Sequence, residues 1–232
     1  MASLSPEFFG VLRRVFPLLI EVYPLDLKRK VNEGLYLRHI LRTMVLADEL
    51  YRQLKSKGVD LNYDVLMMAA ALHDAIEISR ENGREVSVEY LQQRLREIGF
   101  NEGDAYNISY MARFLIPQKD PNLDYFEQKK QDFEKDFNGK GLKGAKEKWW
   151  EANKDYLRII KAADVLANLE ETVDDLKNGR DDGKMKHLLT ERYDIFKYRI
   201  ERIREVFTYK KADELLNFIA ERIKARTLPV YT

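Results

Sequence analysis

Apolar residues recur at three- and four-residue spacing along most of this 232-residue chain, and no stretch keeps the strict alternation of a half-buried strand. The spacing predicts helices over 8–23, 36–57, 63–80, 88–98, 103–115, 154–178, 184–207 and 212–225. Only 6 prolines and 11 glycines interrupt the pattern, which suits long helices. Pro17 should kink or divide the first helix, because it removes a hydrogen bond and crowds the preceding turn. Gly58, Gly83 and Gly99 stand where helices should stop. The fold expected is all-α: an irregular multi-helix bundle forming one domain over 1–232.

Between Pro117 and Lys154 the pattern changes. Lys and Asp dominate, interleaved with Tyr125, Phe126, Phe133, Phe137, Trp149 and Trp150, and glycines stand at 139, 141 and 144. No single period runs through it. Residues 117–153 therefore read as an insertion or lid beside a site, with a pair of short surface helices as the plainer reading.

Three apolar segments carry isolated polar residues. Leu66 to Glu77 is apolar on nearly every face, so a helix there should be buried all round. His73, Asp74 and Glu77 must then sit in or beside a core. Unpartnered buried carboxylates cost several kcal/mol, which either a bound cation or neighbouring basic side chains would offset. Ile159 to Leu169 is again apolar, with Lys161, Asp164 and Asn168 making one stripe at spacings of three and four, continued by Glu171 and Asp175. His39 lies in the third segment, Tyr36 to Thr43. Of the three histidines, His187 sits at a charged helix start and reads as surface.

Composition narrows the chemistry. Hydrophobic residues make up 45%, enough for a sizeable core, and the net charge of +1 argues against a surface for polymeric nucleic acid. With no cysteine, any metal must be held by nitrogen and oxygen. No apolar run is long enough to span a bilayer and no secretory pattern opens the chain, so a soluble, cytoplasmic protein without membrane partners is expected.

A lone His, then His-Asp, then a distant Asp resembles the HD superfamily of metal-dependent phosphohydrolases. Here the series is His39, His73-Asp74 and Asp164, and the resemblance covers roughly residues 30–180. Within it, the chain looks like the hydrolase domains of guanosine tetraphosphate (alarmone) enzymes. Tyr36 matches a Tyr three residues before their first His. Lys161, Ala163, Asp164 and Asn168 match their Lys-x-Ala-Asp-Arg-x-x-Asn, with Val165 in place of the Arg. Glu77 is retained, whereas Ile78 replaces a final acid and Ile40 a Pro. A second branch, the 5′-deoxynucleotidases, shares His-Asp-x-x-Glu.

The resemblance implies one divalent metal on His39, His73, Asp74 and Asp164. That donor set suits Mn²⁺, with Fe²⁺, Co²⁺, Ni²⁺ or Zn²⁺ also compatible, and it leaves positions for water and a substrate oxygen. Glu77 is the expected general base and Lys161 the group that neutralises phosphoryl charge. Tyr36, Asn168 and Arg38 are expected to bind substrate, with Lys30 a weaker candidate. The implied partner is a small nucleotide or phosphate ester, and homo-oligomerisation is left open. The favoured activity is 3′-pyrophosphohydrolysis of guanosine alarmones. The rivals are a 5′-deoxynucleotidase and a metal- or nucleotide-binding regulatory module without turnover.

Overall fold

A computed structural model describes residues 4–28, 35–81, 83, 86–118, 120–179 and 185–227, without the side chains of 81, 185–188, 226 and 227. Lys30 and the side chain of His187 lie outside the described residues. The helices are α1 (Pro6–Val22), α2 (Tyr36–Lys55), α3 (Tyr63–Leu72), α4 (Ala75–Glu81), α5 (Val88–Glu97), α6 (Glu102–Phe114), α7 (Tyr125–Asn138), α8 (Ala145–Lys177), α9 (Met185–Ile203) and α10 (Ala212–Thr227). No strand forms among the described residues, so the fold is all-α as expected. No helix among them is long and apolar enough to cross a membrane.

Local chemistry sets the boundaries. Ser5, Asn62, Ser87, Asn101 and Asp124 each accept a first-turn N–H through a side-chain oxygen, satisfying donors a helix start leaves open. Gly58, Gly83 and Gly99 all adopt positive φ, the left-handed turn that ends a helix cheaply only at glycine.

Three helix expectations need correction, among them the start expected at 154, which falls at Ala145. α1 continues through Pro17, because Val15, Leu18 and Leu19 are buried on either side and packing outweighs the lost bond. The segment 63–80 is two helices, separated at His73 and Asp74. His73 keeps right-handed helical dihedrals, but its ring Nδ1 lies 2.8 Å from the Ala70 carbonyl oxygen. That ring contact takes up a helix-end acceptor, and α4 restarts with Ile78 N–H donating to the Asp74 carbonyl at 2.9 Å.

Packing follows from burial. Every residue from Val65 to Leu72 is buried, and α3 lies against α1, α2, α6 and α8. α2 and α8 pack extensively along one another. α7 leans on α8 and α9, with Phe133 and Phe137 fully buried and their rings stacked 5.0 Å apart. Residues 117–153 thus supply α7 and the first turns of α8, which begins at Ala145 rather than near 154.

Candidate metal centre

α2, the α3–α4 turn and α8 each deliver one ligand type to a common point. His39 comes from the first turn of α2, His73 from the end of α3, and Asp164 from the middle of α8. Their ligand atoms all lie within 4.8 Å of one another. His39 Nε2 stands 3.4 Å and His73 Nε2 3.9 Å from the same Asp164 Oδ1. Donors bonded to one ion at about 2 Å stand roughly 3–4 Å apart, so the spacing fits a shared cation.

The outer contacts orient these rings. His39 Nδ1 lies 3.2 Å from Glu171 Oε1, and His73 Nδ1 lies against the Ala70 carbonyl. With Nδ1 donating in each case, the lone pair falls on Nε2. Both Nε2 atoms are buried and face carboxylate oxygens, His39 Nε2 that of Asp164 at 3.4 Å and His73 Nε2 that of Asp74 at 3.3 Å. Two buried imidazole nitrogens converging on one carboxylate oxygen form an all-N/O donor set of the kind a divalent metal takes.

Asp74 stands beside this group. Its Oδ2 lies 3.3 Å from His73 Nε2 and accepts a 2.6 Å hydrogen bond from the Tyr36 hydroxyl. Asn168 Nδ2 donates at 2.6 Å to Asp164 Oδ1 and at 2.8 Å to the Asp164 carbonyl. Tyr36 and Asn168, expected to hold substrate, each donate a hydrogen bond to one of these acids.

The charges are tightly linked. Burial pushes the His73 imidazole down, but Asp74 and Asp164 together outweigh it and lift the group to about 9. Burial pushes both carboxylates up, yet each is held below its ordinary range, Asp74 mainly by His73 and Asp164 by His39 and Lys161. A proton on His73 thus does part of what a cation would do, and metal and proton compete for that nitrogen.

A cavity of about 340 Å³ opens over the centre, lined by His73, Asp74 and Asp164 together with Glu77 from α4. Tyr36, Lys161 and Asn168 also line it, whereas Arg38 does not. Arg38 is largely exposed and its guanidinium lies 3.4 Å from Asp174. Lys161 forms a 3.0 Å ion pair with the fully buried Asp136, rather than pairing with Asp74 or Asp164. Lys135 approaches the other Asp136 oxygen at 3.1 Å. Burial raises Asp136, with the two lysines opposing, and burial lowers Lys161, overcome by Asp136 and Asp164 so that its net shift is upward.

Glu171 continues the polar stripe of α8, and its position seven residues after Asp164, on the same helix face, is the signal in the sequence for its contact with His39. Asp136, and the basic residues Lys129, Arg192 and Arg199 that also line the cavity, were not singled out.

An all-helical bundle holding a His/His/Asp centre under a polar cavity is the class that fold and site define. Residues 36–169, more than half of the chain, match the HD domain, and the chain belongs to that family. HD domains bind divalent metals and are in general metal-dependent phosphohydrolases. No curated protein and no solved structure matches the chain.

Proposed function

We propose that this chain removes a phosphate or pyrophosphate group from a nucleotide, and that its substrate is a guanosine alarmone cleaved at the 3′-pyrophosphate. One observation carries the hydrolase reading: the Nε2 atoms of His39 and His73 converge on Asp164 Oδ1 beneath a cavity lined by both acids and bases. His39, His73 and Asp164, with Asp74 beside them, would hold the divalent ion, Mn²⁺ by preference. Such an ion, when bound, acidifies water and polarises a phosphoryl oxygen.

The chain's own groups supply the rest. Glu171 and the Ala70 carbonyl fix the two imidazoles. Tyr36 and Asn168 hold the two carboxylates. Glu77, in the first turn of α4 and on the cavity wall, would take a proton from the attacking water. Lys161, kept charged by Asp136, faces the same space and offsets phosphoryl charge. Tyr36 supports the alarmone branch, since the hydroxyl that matches that family's Tyr bonds to the paired Asp.

Ile78 and Val165 favour the second reading, a 5′-deoxynucleotidase. Ile78 is buried on the cavity wall, and Val165 is fully buried in the core where the alarmone branch has an Arg. Phosphate and pyrophosphate release with Mn²⁺, measured on 3′-pyrophosphorylated guanosine nucleotides and on deoxynucleoside monophosphates, tests both. Pyrophosphate release from the former alone supports the first reading. Orthophosphate release from the latter alone supports the second, and no turnover on either leaves a binding module.

A further inference from the structure

Two cations, Lys129 from α7 and Arg199 from α9, line the cavity together. Arg199 donates through Nη2 to the Lys129 carbonyl at 2.8 Å, and its guanidinium lies 5.6 Å from the centre of the Phe133 ring. Its Nε is buried with no hydrogen-bond partner. One neutral acceptor and an aromatic face leave most of a guanidinium's five donors unused. The Lys129 ammonium sits 5.7 Å from the centre of the Tyr125 ring. Neither Arg199 nor Lys129 forms an ion pair among the described residues.

Several acids act on these cations, Asp132 and Glu77 on Lys129, and Asp164, Asp136 and Asp132 on Arg199. Of these, Asp132 belongs to α7 and lines the cavity. Its Oδ1 accepts from the Gln118 N–H at 3.2 Å and from Gln128 at 3.4 Å, while its Oδ2 is buried without a hydrogen-bond partner. Asp132 therefore does not discharge the guanidinium. Burial pushes Lys129 down and the charges of Arg199 and Lys161 push it further, with Asp132 and Glu77 opposing less strongly. Burial lowers Arg199 as well. Cations held together away from water cost free energy until an anion joins them.

We propose that Arg199 and Lys129 form a second anion subsite, which takes a phosphate of the substrate other than the one cleaved, so that the substrate carries at least two phosphate groups. The metal ligands and Lys161 already serve the phosphoryl group under attack. The second pair comes from different helices, and Arg199 lies beyond the residues that match the HD domain. A guanidinium fork with open donors is the shape that grips phosphate oxygens two at a time. The cavity, about 340 Å³, falls within the size range of ligand pockets. The word substrate rests on the phosphohydrolase reading; the anion subsite itself does not.

Calorimetric titration of the metal-stripped full chain with inorganic pyrophosphate reads the subsite separately from the metal. Wild type is expected to bind, and Arg199→Gln and Lys129→Gln each to weaken binding at least ten-fold, as loss of a charge-assisted hydrogen bond implies. Lys148→Gln, exposed on α8, should leave it within two-fold. No binding by wild type, or unchanged binding in the folded variants, overturns the subsite; if Arg199→Gln fails to fold, the partly buried Lys129 decides. With Mn²⁺, both variants should raise KM at least ten-fold for a pyrophosphorylated nucleotide and leave KM for a nucleoside monophosphate within two-fold. Equal effects on both overturn the assignment to a second phosphate. Pyrophosphate binding that is lost in the variants, with no hydrolysis of any nucleotide, sinks the hydrolase reading and leaves the anion subsite standing.

Discussion

Glu171 Oε1 lies 3.2 Å from His39 Nδ1, and this contact turns the opposite ring nitrogen toward Asp164. The carboxylate reaches across from α8 to α2, so helix packing and metal readiness share one bond. Glu171→Ala should lower divalent-metal affinity about 10–100-fold, the usual cost of losing a partner behind a ligating histidine. Competitive metal titration checks it, with helicity measured alongside. Unchanged affinity in a folded variant would show that Glu171 does not position His39.

Glu77→Gln keeps the size of the side chain and removes its basicity. Turnover should fall about 10²–10⁴-fold while metal content and melting temperature stay near wild type. Metal loss in step with activity would make Glu77 a ligand. A well-folded variant with normal turnover would defeat its role as base.

Asp136 is fully buried and is approached by both Lys161 and Lys135. Removing it strands the buried Lys161 charge, so Asp136→Leu should cost about 3–5 kcal/mol. For a chain of this length that is a fall of about 6–20 °C in melting temperature. Adding Lys161→Met should restore much of the stability without restoring turnover. A double variant no more stable than the single one would mean that the pair is not what holds α7 to α8.

Gly139 caps α7 at φ +69°, and a Cβ there would meet the Trp150 ring at 2.7 Å. Gly139→Ala therefore combines left-handed strain, about 1–2 kcal/mol, with a backbone-to-ring clash. Trp150 Nε1 donates at 3.1 Å to the Asp136 carbonyl, so the displaced ring should disturb the Asp136–Lys161 pair. The expected result is a lower melting temperature, altered tryptophan fluorescence and reduced turnover. Wild-type values for all three would show that the ring has room to move.

The centre was legible because its ligands are isolated polar residues on otherwise apolar helices. His73 and Asp164 each stand among alanines and aliphatics that are now seen to be buried. α7 was not legible, and the reason is physical. Its inner face pairs Phe133 and Phe137 with the buried acids Asp132 and Asp136, which erases the apolar stripe that marks a helix. The break at His73 was equally hidden, because an imidazole bonded to a carbonyl leaves the helical spacing of the letters intact. Arg199 gave no signal, since a basic residue on a charged helix reads as solvated until the fold turns it inward.

α8 runs unbroken for 33 residues, with Trp150 near its start and Lys161, Asp164, Asn168 and Glu171 along its middle. One added or deleted residue between Trp150 and Asp164 would rotate everything beyond it by about 100° and carry the acid away from both histidines. Length variation in descendants of this sequence should therefore accumulate before Gly144, in the loops flanking α7, and be purged from the helix. Even a change of seven residues, close to two full turns, restores the facing but slides the acid roughly 10 Å along the axis, so it is excluded as well. The spacing from Trp150 to Asp164 is an inherited ruler, set by the pitch of a helix and not by the chemistry at its end.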